Sequence, residues 1–112
     1  MSENLNNVMN MLEEAKLEYQ LDKLTKEMEV ELLTNEIFME QTDIAYENKL
    51  RDMELINKVN SKLTTLTKLS TRINDVEEQA IKINSHEVVW KCESRKTKIL
   101  NQMTIFREKY SL

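Results

Sequence analysis

Glycine and proline are both missing from this 112-residue chain. At average usages of about 7% and about 5%, roughly eight glycines and roughly six prolines are expected. Without them the chain loses its easiest route to positive φ, its usual helix C-cap, its type II turns and its proline-set corners. Glycine-rich phosphate loops and dinucleotide-binding turns are excluded for the same reason. Aromatic residues are also scarce, with two Phe, three Tyr and one Trp, and no sustained alternation of apolar and polar residues marks a strand. The longest apolar runs are three residues, as in Val88-Val89-Trp90, far short of the ~20 of a membrane span. A lone cysteine, Cys92, excludes an intramolecular disulfide and fits a reducing compartment. The opening residues MSENLNN lack the basic and apolar regions of a signal peptide. A cytoplasmic protein is expected.

What is present favours helix. Glu, Leu, Lys and Met are plentiful, with some Gln and Ala, and these lose little on entering one. The class expected is all-α, as a single helical coiled-coil domain over 1–112. Apolar residues recur at three- and four-residue steps in several registers. Leu17, Leu21, Leu24 and Met28 form one seam, and Tyr46, Leu50 and Met53 another. A third runs Ile56, Val59, Leu63 and Leu66, and a shifted one Leu66, Leu69, Ile73, Val76, Ala80 and Ile83. The last holds Val89 and Cys92, skips Lys96, and continues through Ile99, Met103, Phe106 and Tyr110. Such stripes are what coiled coils bury, and phase shifts between them resemble stammers. A compact bundle of amphipathic helices has the same pattern.

Charge is divided unevenly. Residues 1–56 carry fourteen acidic and five basic residues, whereas 57–112 carry six and eleven. Folding the chain back on itself would lay an acidic helix along a basic one, while a parallel dimer would set like charges side by side. The expected form is therefore an antiparallel two-helix coiled-coil hairpin. Its turn is placed at about 57–66, where Asn57, Asn60, Ser61, Thr64 and Thr65 favour local backbone bonds over helix interiors. A second break at about 84–86, with Asn84 as cap and Glu87 reaching back, would set off a short third helical segment at the C-terminus.

Little in the sequence supports catalysis. His86 and Cys92 are six residues apart, so on one helix they point about 120° away from each other. One His and one Cys fall short of the four ligands of a structural zinc site. Ile83 stands three before the only His, so no Glu-x-x-His dimetal pair exists. Glu13, Glu14 and Glu18, or Glu27, Glu29 and Glu31, read as a charged face and not as ligands. Neither enzyme activity nor a cofactor, metal or small-molecule substrate is expected. Met9, Met11, Met28, Met39, Met53 and Met103 suit either core filling or an adaptable binding face.

The C-terminal segment is the candidate contact surface: Trp90, Lys91, Arg95, Lys96, Lys98 and Phe106 combine a large aromatic with clustered cations, and Trp and Arg are favoured interface anchors. Nucleic acid is not the expected partner, because the chain is net acidic with a pI near 5.1. In size, helical pattern and the stretch Val89-Trp90-Lys91-Cys92-Glu93-Ser94-Arg95-Lys96, the chain resembles the stalk proteins of type III secretion systems, the FliJ-like family. Detailed likeness is confined to that short stretch, and the acidic first half departs from the more basic relatives. The resemblance implies a rod that inserts paired termini into a hexameric export ATPase ring and touches the export gate with its hairpin tip. Lys91, Arg95 and Lys96 would then lie near the ATPase. The competing expectations are a subunit of a multi-chain coiled-coil complex, of kinetochore or tethering type, and a small helical secretion chaperone. In each, the partners are other proteins met through helix pairing.

Overall fold

The computed structural model describes residues 2–46 and 53–112, with side chains over 5–43 and 53–112. Its regular structure is wholly helical: α1 (Ser2–Tyr46), α2 (Met53–Lys82) and α3 (His86–Tyr110). At 1.5 Å per residue α1 is about 67 Å long, which accounts for a molecule of 70 × 19 × 17 Å. Among the described residues no helix is long and apolar enough to cross a membrane.

Cross-helix bonds fix the directions. Glu14, Thr25, Asn35 and Thr42 of α1 meet Ser85, Arg95, Gln102 and Tyr110 in the same order, so α1 and α3 run parallel. Glu27 and Asn35 meet Arg72 and Lys62 of α2 in reverse order, so α2 runs against both. Because Glu14 stands level with the α2–α3 turn, residues 2–13 extend past the end of the bundle.

The seams read from the sequence supply the core. Leu17, Leu21 and Met28 of α1, Leu66 and Ile73 of α2, and Ile99 and Phe106 of α3 are all essentially inaccessible. Leu63 and Val89 are half-buried at the margin, and Val88 takes the fully buried place beside Cys92. At one end, Phe38, Phe106 and Tyr110 form a ring cluster with centroids 5.9–6.4 Å apart. Of the seam Tyr46, Leu50 and Met53, the side chain of Tyr46 and all of Leu50 lie outside the described residues, and Met53 is exposed.

The turn expected at 57–66 is not there; α2 passes through that stretch unbroken. Val59 and Leu66 are pulled into the core, and the hydroxyls of Thr64 and Thr65 bond back to the carbonyls of Asn60 and Ser61. The polar side chains thus satisfy themselves within the helix instead of ending it. Three helices result, and the third has 25 residues and is not short.

The break at 83–85 is built without glycine. Asn84 takes the left-handed conformation at φ 57°, and the amides of Asn84 and Ser85 donate to the carbonyls of Ile81 and Ala80. This is a Schellman ending with Asn where Gly is commonest. Asn84 therefore terminates α2 and does not cap α3; Ser85 precedes α3 without a side-chain cap bond, because its hydroxyl donates to Glu14 at 2.7 Å. Glu87 pairs with Lys91 at 3.3 Å instead of reaching back. Ser111 repeats the left-handed ending after α3 at φ 55°.

Two outcomes follow. Replacing Asn84 by Gly should raise the stability measured by urea denaturation by a few tenths to about 1 kcal/mol, since the non-Gly left-handed penalty is removed. Intramolecular lysine cross-links should join Lys16 to Lys91 and not to Lys109, which pairs with Asp43 at the far end. A Lys16–Lys109 link would instead indicate a two-helix hairpin folded near 57–66.

Candidate interaction surface

The C-terminal set is split by the fold. Phe106 is fully buried in the ring cluster, a correction to its expected place on a contact surface: the seam step that made it conspicuous is the step that buries it. Lys96 points into the α2–α3 interface, where it donates to Glu77 at 2.5 Å and Asn74 at 2.8 Å. Arg95 turns to the Thr25 hydroxyl of α1, and Lys91 is engaged by Glu87 within its own helix. Trp90, at 67% exposure, and Lys98 remain outside. The charge difference between halves is thus partly consumed internally, in Arg72–Glu27 and Lys109–Asp43, while Lys96–Glu77 pairs charges within the second half.

A larger surface lies on α1. At about 100° per residue, Leu17, Leu21, Leu24, Met28 and Asn35 form the inward line. Nearly opposite, Leu5, Val8, Leu12, Ala15 and Tyr19 advance by alternate steps of three and four, and beyond Lys26 the line resumes at Val30, Leu33 and Ile37. Every one of these is exposed, Leu12 and Val30 by 66% each. Met9 and Met11 widen the stripe where α1 passes beyond the bundle. Scattered single apolar residues are normal on a surface; here they are aligned on one face. The sequence carried this signal; it was hidden because the inward seam alone accounts for helix formation. α1 is a helix with two apolar faces, and three helices cover only one.

Chemistry elsewhere is sparse. The Glu14, Glu18 and Glu87 carboxylates come within 4.8 Å of one another, yet Glu14 already accepts from Ser85 and Glu87 from Lys91. A shallow open recess of about 590 Å³ between α1 and α2 is lined by Lys26, Glu27, Val30, Leu69 and Arg72. Two of its charges, Glu27 and Arg72, are spent on each other at 2.8 Å. Burial pushes the Cys92 thiol up from 9.0 to about 11, aided by the neighbouring Glu77 carboxylate. A thiol kept protonated is a poor nucleophile. His86 is exposed at the start of α3.

No protein-family model, curated protein or solved structure matches this chain.

Cys92 gives a pH test. Since its folded value lies above the unfolded one, the stability it contributes is complete below pH 9 and is lost as pH rises toward about 11. Thiol titration at pH 8 should leave the native chain nearly unmodified and label it fully in denaturant; rapid native labelling would contradict the burial.

Proposed function

We propose that the chain is a non-enzymatic helical subunit that acts by docking partner helices on the outer face of α1. The observation that carries this reading is the second apolar stripe, from Leu5 to Ile37, exposed along about 48 Å of a rigid helix. Burying large apolar side chains at about 25 cal/mol per Å² is the usual source of association energy, and helix-in-groove recognition uses anchors at this spacing. The fold holds its own three helices together while leaving one flank apolar, which suits a component of a multi-chain coiled-coil assembly. A reducing compartment such as the cytoplasm fits the free Cys92.

A stalk of the FliJ-like kind is the second reading. It is favoured by the rod shape of 70 × 19 × 17 Å and by Trp90 standing exposed on the basic α3. It is disfavoured by the three-helix arrangement: α3 runs parallel to α1, with Tyr110 beside Thr42, whereas the resemblance implies a two-helix hairpin.

Affinity purification from the native host, with the wild-type chain and a Leu12→Ser/Val30→Ser/Leu33→Ser variant, separates the two readings. A helical partner recovered with wild type should fall by at least about tenfold with the variant, as expected for loss of central apolar anchors, while circular dichroism stays unchanged. Retention of every partner by this variant, with loss on Trp90→Ala, would favour the stalk.

A further inference from the structure

The stripe on α1 has an electrostatic border that restricts what can cover it. Glu18, Asp22, Glu29, Glu36 and Glu40 lie along one side of it, about 60–100° around the helix from its centre. The last four are exposed, and none of the five forms an ion pair among the described residues. Lys98 shares a recess with Glu36 without bonding to it. From Glu27 to Tyr46 the helix contains no Lys or Arg at all. On the other side of the stripe stand Lys16 and Lys23, and Lys26 interrupts its middle.

We infer that the occupant of this face is a helix of a different protein, about as long as the stripe, whose own apolar line is bordered by Lys or Arg. This rests on the docking role proposed above. A second copy of this chain is the obvious competitor, and charge argues against it. Antiparallel self-pairing about a two-fold axis brings each flank against its own copy, which sets the carboxylates of Asp22, Glu29 and Glu36 against the same acidic border. Parallel self-pairing sets that border against the opposite one, where beyond Lys26 only Glu27, Thr34 and Gln41 are found and Glu27 is held by Arg72. Neither arrangement supplies a cation to the C-terminal half of α1. A basic-bordered helix does, and flanking charges of this kind choose partner and orientation in helix pairs. Lys26, a cation in the middle of an apolar line, further calls for a polar or acidic residue at one place in the partner's stripe, as single polar positions set register.

The test uses the full chain and two synthetic amphipathic peptides of about 30 residues, matched to a 48 Å stripe. Both carry the same Leu and Ile line; one is bordered by Lys and Arg, the other by Glu. Fluorescence anisotropy should show the basic peptide binding at least about tenfold more tightly at low salt, with the preference shrinking as salt rises. A Glu29→Lys/Glu36→Lys/Glu40→Lys variant should reverse that preference while keeping its helicity by circular dichroism. Equal binding of both peptides would overturn the basic-partner inference and leave the docking face standing. Binding of neither, with Leu12→Ser/Val30→Ser/Leu33→Ser behaving like wild type, would overturn the docking face itself. Concentration-dependent dimerisation in analytical ultracentrifugation, abolished by that apolar triple variant, would assign the face to a second copy and overturn the inference.

Discussion

Asn35 is wholly buried on the inward line of α1, beyond Leu17, Leu21, Leu24 and Met28, and its amide decides how that helix is rotated. The side-chain nitrogen donates to Gln102 of α3 at 2.8 Å, the oxygen accepts from Lys62 of α2 at 3.2 Å, and Gln102 in turn donates to the Leu32 carbonyl. One layer of polar atoms therefore spans all three helices. Its importance comes from the second apolar face. The hydrophobic effect is non-directional and scales with area, so a helix apolar on opposite sides gains similar energy from burying either. Turning α1 the other way would leave Gln102 buried without a partner, at about 1–3 kcal/mol for each unsatisfied group. The use of a single buried Asn to fix register is well established in coiled coils. The bonds Glu14–Ser85 and Thr42–Tyr110 repeat the choice near the two ends.

Electrostatics follows from that rotation. With Asn35 inward, Glu27 and Asp43 reach the cations of α2 and α3, while Asp22, Glu29 and Glu40 are left facing water. The ion pairs are mostly exposed and contribute little individually, about 0–1 kcal/mol. Under the docking role proposed above, their use would be in matching chains: internal pairing consumes part of the basic surplus of α2 and α3 and leaves an acidic surplus on the outer border of α1. Specificity arises this way, since like charges brought together penalise the wrong partner.

Much of the fold was legible in the residues. Missing Gly and Pro pointed to helix throughout, and Leu17 to Met28, Leu66 to Ala80 and Cys92 to Tyr110 each named a buried face correctly. The turn expected at 57–66 rests on the composition of Asn57–Thr65, whereas the seam crossing the same residues keeps them in α2, with Val59 and Leu66 fully buried. At Asn84 the reverse held: the break was visible, but Asn was expected as an N-cap, and its tolerance of positive φ makes it a C-terminal stop in a chain with no Gly. The candidate surface was only half legible. Trp90 stayed exposed, but Lys96 and Arg95 could not be seen to turn inward without knowing that three helices pack together. The outer stripe of α1 is masked for a related reason: a helix needs only one apolar face to fold, and the inward seam already supplies it.

The end of α1 beyond the bundle bears most directly on the use of that stripe. Up to residue 13 the helix passes the α2–α3 turn, and among the described residues no helix covers Leu5, Val8, Met9, Met11 and Leu12, which are exposed. Ordering a residue costs about 1–2 kcal/mol of backbone entropy, and a helix this short is marginal in water on its own. Continuity with the packed part of α1 removes the nucleation cost, which leaves a preformed apolar extension whose entropy is largely spent before any partner arrives. A partner helix laid along the stripe would meet this extension first on one side of the bundle and then Tyr19, Val30 and Leu33 along its length, gaining burial at each step without having to order α1. Preorganisation of that kind raises affinity by lowering the cost of binding and not by adding contacts. In energetic terms, the overhang makes sense as the free end of a longer helical pairing surface.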